Sequence, residues 1–564
     1  MTTRLRFHEC IAVGSLILAA CLAVSEIAAA GPSVVTTFHS AGVYWSPVGG
    51  SATATAHVRY RKLGSSAWKP GHPLWFDPVA VEYRGSLVEL DPATTYEIEL
   101  SVAGGPQATL QAVTWSEQFP IAETVTLPET STQTLVITRG GSATTGYVLY
   151  THAPGRRALI DVGKTADYNL EVRASYVIIR GLTLRGARAD AIRFPVAASN
   201  VVVEQNDISA WGSLASAGVF GSSGQAGIRG KDVDLRKIVV QRNYIHHPSF
   251  DTKSWCENPD GSPLADCSLH TAGPVAVLFR NSLHNSVVRY NTVTSDENHY
   301  FEDCLGGEGG TGFPGPDGDV YGNDVARCWD NPIEAEFGNK NTRIWGNFID
   351  YSYREIAIAP AGDGPMYIWR NVINSGRKGP FPGSENEYCS FVKFGNSSTG
   401  AVYVYHNTLL QPSGAVHGMV GGITNGASGT NGINLVSRNN ILHVTSSSER
   451  SIDDDGFAAN DYDFDLYNAR IPSGVEPHGI SGTPVYRATN AAGEHYLDPS
   501  SPGYDAGLLL PNFNDNFTGD GPDMGAYESG RPALEFGVNA YLGGVIPVPD
   551  PPPTPTNLRR TDVR

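Results

Sequence analysis

The chain has 564 residues, enough for three or four average domains unless a long repeat occupies it. Charged residues make up 17% and Gly fills 63 positions, which excludes a coiled coil; an apolar content of 41% excludes a chain without a packed core. Forty basic against 57 acidic residues leave a net charge of −17, a field that repels phosphate backbones and sets nucleic acid aside as a partner.

Arg4 and Arg6 precede an apolar run at residues 11–24, which ends near Ala28, Ala29 and Ala30 ahead of Gly31 and Pro32. Basic, apolar and small-residue regions in that order read as a secretory signal peptide over residues 1–30. The mature protein is therefore expected to be exported: secreted, periplasmic or at the cell surface. The run is too short for a permanent membrane span, and no later segment is long and apolar enough for one. Leu18, Ala19, Ala20 and Cys21 also resemble a bacterial lipobox, with lipidation of Cys21 as the alternative to cleavage after Ala30. Beyond residue 30 the cysteines are Cys256, Cys267, Cys304, Cys328 and Cys389; Cys256 and Cys267 bracket a loop with Pro259, Asp260 and Gly261 and are the expected disulfide. None has the paired short spacing of a zinc site.

Residues 33–117 alternate apolar and polar positions in short runs, as in His57, Val58, Arg59, Tyr60 and again in Tyr96, Glu97, Ile98, Glu99, Leu100. Such runs between Gly, Ser and Pro turns predict a small β-sandwich with Trp45 in its core. Leu90, Pro92, Thr94 and Tyr96 resemble the tyrosine corner of fibronectin type III domains, a type of domain that serves as spacer or docking module.

From about residue 118 one phrase recurs: two or three apolar or β-branched residues, two variable ones, Asn, one variable residue, then Ile, Val or Leu. Val201, Val202, Val203, Asn206 and Ile208 form one instance; Ile238, Val239, Val240, Asn243 and Ile245 form the next. The phrase returns at Asn291, Asn323, Asn347, Asn371 and Asn407, and more loosely at Asn440, with successive spacings of 37, 48, 32, 24, 24, 36 and 33. A fixed phrase at variable spacing above a constant minimum predicts a solenoid with loops inserted on one side. Short strands with no helical period make it a parallel β-helix, in which the asparagines, one per coil at the same bend, bond one another as a ladder. After about residue 531 the chain becomes a Pro-rich linker, residues 547–555, and Thr556, Asn557, Leu558 and Arg559 look like the first strand of a further fibronectin-type module.

Two stretches carry a closer resemblance: residues 328–336 with 341–347, and residues 402–408. Together with Ser501, Pro502, Gly503 and Asp523, Met524, Gly525 near the end, they resemble the right-handed parallel β-helix proteins of the pectin-lyase-like superfamily over about residues 118–530. The resemblance implies an all-β chain, a right-handed parallel β-helix solenoid preceded by a small fibronectin type III-like β-sandwich. It also implies an activity on polysaccharide, since the superfamily is rich in lyases, glycoside hydrolases, epimerases and depolymerases.

Where that chemistry sits is read from alternation. With Ile333, Ala335 and Phe337 turned into the coil, Glu334 and Glu336 face outward together. Glu302 or Asp303, one coil earlier, is expected beside Glu334, and Asp330 lies at the approach to the same strand. Ala357 and Ala359 on the next coil leave room for a ligand, and Lys393 faces outward two rungs from Glu334. The loop at residues 306–319 is expected to overhang this face as a lid, with Phe313 as a sugar-stacking ring, and Glu302 is expected to touch substrate. The leading reading is a glycoside hydrolase using two of Asp303, Asp330, Glu334 and Glu336 as acid and base or nucleophile, with no cofactor. The alternative is β-elimination on a uronate glycan, with Lys393 as base and Ca²⁺ held by Glu302, Asp303, Glu334 and Glu336. A third reading is a non-catalytic solenoid that binds a cell-surface glycan. His246, His247 and His406 are expected to be turn or structural residues.

Overall fold

The computed structural model describes residues 30–213, 218–219, 224–250, 271–296, 298–307, 310–376, 389–410, 420–426, 429–444, 450–454, 456–491 and 493–542. Residues 1–29 of the expected signal peptide, including Cys21, together with Cys256, Cys267 and the Pro-rich tail, lie outside them.

The fold is all-β. Eight strands form the N-terminal unit: β1 (Ala30–Thr36), β2 (Ala41–Ser46), β3 (Ala56–Lys62), β4 (Lys69–Pro70), β5 (Trp75–Asp77), β6 (Glu82–Leu87), β7 (Thr95–Val102) and β8 (Gln107–Val113). They make two four-stranded antiparallel sheets, in the orders β1-β2-β6-β5 and β4-β3-β7-β8. The alternation seen in the sequence puts Val58, Tyr60, Ile98 and Leu100 inward with Trp45, Tyr83 and Leu87, while Arg59 and Glu99 pair on the outer face. Tyr96 is buried, and its hydroxyl accepts the Asp91 amide at 2.9 Å, which closes the corner between the two sheets.

The long repeat forms three parallel sheets. Sheet I has 13 strands from Ile121–Thr126 to Asp461–Tyr462, sheet II has 13 from Thr130–Ser131 to Ile480–Ser481, and sheet III has 11 from Leu135–Ile137 to Ile452–Asp453. Each coil visits I, II and III in turn and pairs in parallel with the coil before and after, as Val201 with Val177 and Ile238. This is a parallel β-helix. Alternate residues fill its bore, among them Val201, Val203, Ile208, Ile228, Val240 and Ile245, in one continuous apolar core.

The bend between sheets I and II is set by the asparagine ladder. Each amide nitrogen donates to the side-chain oxygen of the next: Asn206 to Asn243 (2.9 Å), Asn243 to Asn291 (3.0 Å), Asn291 to Asn323 (3.0 Å), Asn323 to Asn347 (2.9 Å), Asn347 to Asn371 (2.9 Å), Asn371 to Asn407 (3.0 Å) and Asn407 to Asn440 (2.8 Å). The same nitrogens also bond backbone carbonyls; Asn291 reaches Val240 O at 2.9 Å and Arg289 O at 3.1 Å. All eight are buried, so an apolar replacement strands several polar groups at about 1–3 kcal/mol each. The ladder ends on a residue outside the repeated phrase: Asn440 donates to the Asp465 carboxylate at 2.9 Å.

The outer face of sheet I is covered. Tyr321, Trp345 and Trp369 stack along it, with ring centroids 4.1 Å and 5.4 Å apart, and the sandwich lies over them and their neighbours. At the centre of that contact a fully buried Arg343–Asp319 pair (2.7 Å) is joined by Thr37, Ser40 and Ser86 from the sandwich, while Tyr44 donates to Asp317 at 2.8 Å. The approach is close enough that a Cβ on Gly42 would sit 2.2 Å from an Asp317 oxygen. Residues 497–541 return along the solenoid, and Asn512 bonds both Tyr60 (2.8 Å) and the Val88 carbonyl (2.7 Å) of the sandwich.

Candidate functional site

The outer row of sheet III runs, by strand register, Arg229, Leu278, Gly306, Glu334, Ala357, Lys393, Thr424 and Asp453. Glu334, Ala357 and Lys393 therefore stand on successive rungs, as the alternation predicts, with Ile333, Ile356 and Val392 beneath them in the core. Adjacent rungs are about 4.8 Å apart, which puts the Glu334 and Lys393 backbones roughly 10 Å apart.

The residue beside Glu334 on the preceding coil is Gly306, not Glu302 or Asp303. Glycine fits there because a Cβ would meet the Glu334 Cβ at 2.8 Å. Glu302 and Asp303 instead run alongside residues 329–331 at the corner leading into sheet III. Phe301 bridges Cys328, the Asp330 amide donates to the Glu302 carbonyl at 2.8 Å, and the Asn331 amide donates to Asp303 Oδ1 at 2.9 Å. The corner is clamped by a disulfide between Cys304 and Cys328 on adjacent coils, which the sequence spacing did not single out. Glu302 turns back to accept the Gly273 amide.

Two aromatic expectations change. Phe313 is fully buried in the solenoid core, so it is no sugar-stacking ring on a lid; a phenyl ring gains about 1.5–3 kcal/mol from such burial. Phe337, expected inward, is 36% exposed. The strand Ile333–Glu334 is only two residues long, and a φ of 75° at Phe337 ends the alternation and turns its ring out beside Glu336.

Lys393 donates to Glu336 Oε1 at 2.9 Å, with side-chain exposures of 14% and 8%. Burial alone would lower the lysine pKa; the Glu336 and Asp330 carboxylates outweigh it and hold the ammonium above its ordinary range, with Arg354 opposing them. Asn331 links the corner further, donating from Nδ2 to Asp330 Oδ1 at 3.0 Å and to the Arg354 carbonyl at 3.1 Å.

Glu302, Asp303, Asp330, Glu334 and Glu336 are thus all less than a tenth exposed, and with Lys393 they lie on or next to the middle rungs of sheet III. Asp330 and Glu336 each act on Lys393; Glu302 and Asp303 belong to the corner one coil away. Sequence reasoning missed Asn331, Arg354 and Phe337, each placed by a turn residue rather than by strand alternation. It also missed Glu355, fully buried one residue before the alanine coil. Among the described residues no group of three or more His, Cys, Asp or Glu side chains is placed to hold a metal ion; Glu336 bonds Lys393, Asp303 accepts the Asn331 amide and Glu302 that of Gly273. Carboxylates so arranged, with a small-residue floor at Gly306 and Ala357, can hold and move protons at a bound ligand.

No protein-family model matches the chain, and no curated protein matches its sequence. Among solved structures it is similar to the major allergen from cedar pollen, jun a 1, at 10% identity and a TM-score of 0.24, over 67% of this chain and 84% of that one. It is also similar to a glycoside hydrolase at 10% identity and a TM-score of 0.26, over 73% of this chain and 72% of that one.

Proposed function

We propose that the protein is an exported enzyme that cleaves glycosidic bonds in a polysaccharide by hydrolysis, at the carboxylate cluster on the outer face of sheet III. The observation that carries this reading is the near-complete burial of Asp330, Glu334 and Glu336 around Lys393. Gathering like charges out of water is unfavourable, and the Lys393 ammonium bonded to Glu336 offsets part of that cost. A hydrolase uses that tension: one carboxyl stays protonated as acid while another, kept ionised by a cation, serves as nucleophile or base.

In this reading Glu336, paired with the Lys393 ammonium, is the ionised member. Asp330 and Glu334 flank it as candidates for the second catalytic carboxyl, with Asp303 behind Asp330 through Asn331. Phe337 offers a ring on which a sugar face can stack, and Gly306 with Ala357 leave room above the strand. The sandwich, fixed to sheet I, takes no part in the chemistry.

Elimination from a uronate glycan is the second reading, favoured by the placement of Lys393 on the same row as Glu334. It requires Lys393 to leave Glu336 and give up a proton that two carboxylates now stabilise, which ranks it below hydrolysis. To separate the two, the mature protein is incubated with a panel of neutral and uronate polysaccharides, with and without a calcium chelator. Reducing ends and the ultraviolet absorbance of unsaturated uronate are followed together. Hydrolysis gives reducing ends alone, unaffected by chelation; both signals, lost on chelation, establish elimination; neither signal across the panel leaves a binding solenoid.

A further inference from the structure

Away from this site, on the outer face of sheet II, five residues that the sequence scatters come together: Asp207, His246, His247, Asp296 and His299. Asp207 and His246 lie on the short strands Asp207–Ser209 and Tyr244–His246, which pair in parallel and put His246 between Ser209 and Thr294. Ile208, Ile245 and Val293 of the same strands point into the core, so His246 points out. Tyr244 stacks on the His246 ring at 4.2 Å and fixes its plane.

The two imidazoles face each other through Nδ1, with the nitrogens 2.8 Å apart. On its far side His246 Nε2 meets Asp207 Oδ1 at 3.1 Å, and His247 Nε2 lies 3.6 Å from Asp296 Oδ2. Asp296 is steadied in turn by His299 Nδ1 and the Asn298 amide, each at 2.8 Å. A carboxylate beside Nε2 draws the ring proton there and leaves the lone pair on Nδ1. With both rings in that form, two lone pairs confront one another at hydrogen-bonding distance. With His247 in the other form, its Nε2 lone pair confronts a carboxylate instead. In that second form the His247 Nδ1–H bonds His246 and only the 3.6 Å contact to Asp296, beyond hydrogen-bond distance, is unfavourable; a cation held by both Nδ1 lone pairs instead lets each carboxylate keep an Nε2–H donor.

We propose that His246 and His247 form a binding site for a divalent transition-metal ion, with Asp207 and Asp296 orienting the two rings from behind. Carboxylates placed in this way hold ligand histidines in the metallating tautomer and fix the ring orientation. Metal–nitrogen bonds of about 2.0–2.1 Å spanning the observed gap give an N–metal–N angle of about 85°. That is the cis angle of a square or octahedral ion, so the pair fits Cu²⁺ and Ni²⁺ better than tetrahedral Zn²⁺. Among the described residues no three ligating side chains converge on one point, so water fills the remaining positions. The half-exposed aspartates give ions a route in.

The test is calorimetric titration of the full chain, stripped with a chelator, with CuCl₂, NiCl₂ and ZnCl₂, alongside His246→Gln, His247→Gln and Asp207→Asn. The expected result is one Cu²⁺ per chain, affinity falling from Cu²⁺ to Ni²⁺ to Zn²⁺, and at least tenfold weaker Cu²⁺ binding in each histidine variant. Asp207→Asn, which keeps both ligands, is expected to weaken binding by roughly 10–100-fold. Electron paramagnetic resonance of the Cu²⁺ form adds a readout on the unmodified chain: coupling to two imidazole nitrogens. Cu²⁺ affinity unchanged in the histidine variants overturns the proposal, as does a spectrum without that coupling. An absence of metal affinity, with a single proton shared by the two rings in NMR titration, overturns it equally.

Discussion

Lys393 shows most directly how single residues shape the candidate site. Its ammonium and the Glu336 carboxylate are both nearly buried, and each offsets part of the other's burial cost. Removing one partner leaves a buried charge, which costs about 3–5 kcal/mol, whereas replacing both with neutral side chains of similar volume is close to neutral. Urea denaturation is therefore expected to show Lys393→Met strongly destabilised and the Lys393→Met/Glu336→Gln double variant recovering most of the loss. Equal stability of Lys393→Met and the parent contradicts the pair as drawn. At this scale the sequence revealed whatever strand alternation controls. Glu334, Ala357 and Lys393 occupy the predicted row because a two-residue period leaves no other face for them. It did not reveal Phe337, where one left-handed backbone angle reverses the pattern, or Phe313, whose glycine-rich surroundings read as a surface loop although its ring fills the core.

At the scale of elements, the asparagine ladder was fully legible, because a buried amide at every bend has few other reasons to recur. Its terminus was not, since Asp465 replaces the amide with a group that only accepts when ionised. Asp465 Oδ1 takes bonds from the Asn440 amide and side chain, and its own amide donates to Glu476 Oε2 at 3.0 Å. Burial raises the pKa of both acids, and the nearby Asp465 charge pushes Glu476 up further. The folded end of the ladder thus keeps protons that the unfolded chain releases in the ordinary carboxylate range, near pH 4.3 for Glu. More protons bound in the folded state means stability falls as pH rises from that range toward the raised folded values. Denaturation at several pH values is expected to show this slope in the parent chain and a flatter one in Glu476→Gln. An identical slope in the two proteins contradicts a shared proton at the ladder's end. The coil carrying Glu302 and Asp303 was misplaced for a related reason: corners insert residues without changing the repeat, so neighbours there follow from hydrogen bonds, not counting.

For the whole molecule, the sandwich packs directly on sheet I of the solenoid through buried polar and aromatic contacts. Nothing local in the sequence announced this, because the partners lie far apart along the chain: Thr37 with Asp319, Tyr44 with Asp317, Val88 with Asn512. A solenoid alone unfolds repeat by repeat, each coil stabilised by its neighbours. Here the buried Arg343–Asp319 pair and the return of residues 497–541 tie distant coils and the sandwich together. Calorimetry is expected to show a single transition for both units, and Arg343→Met, which leaves Asp319 buried without its cation, is expected to lose about 3–5 kcal/mol. Two separate transitions in the parent protein contradict this coupling.

Turnover of the best polysaccharide of the panel by the parent, Glu336→Gln and Asp330→Asn tests whether the buried carboxylates of sheet III cleave glycosidic bonds. Circular dichroism of each variant serves as the control for folding. Glu336→Gln, destabilised by the loss of its ion pair but still folded at the assay temperature, is expected to lose at least about a hundredfold in kcat, the scale on which a positioned acid or base acts. Parent-like kcat in both folded variants contradicts it and removes catalysis from this face of the solenoid.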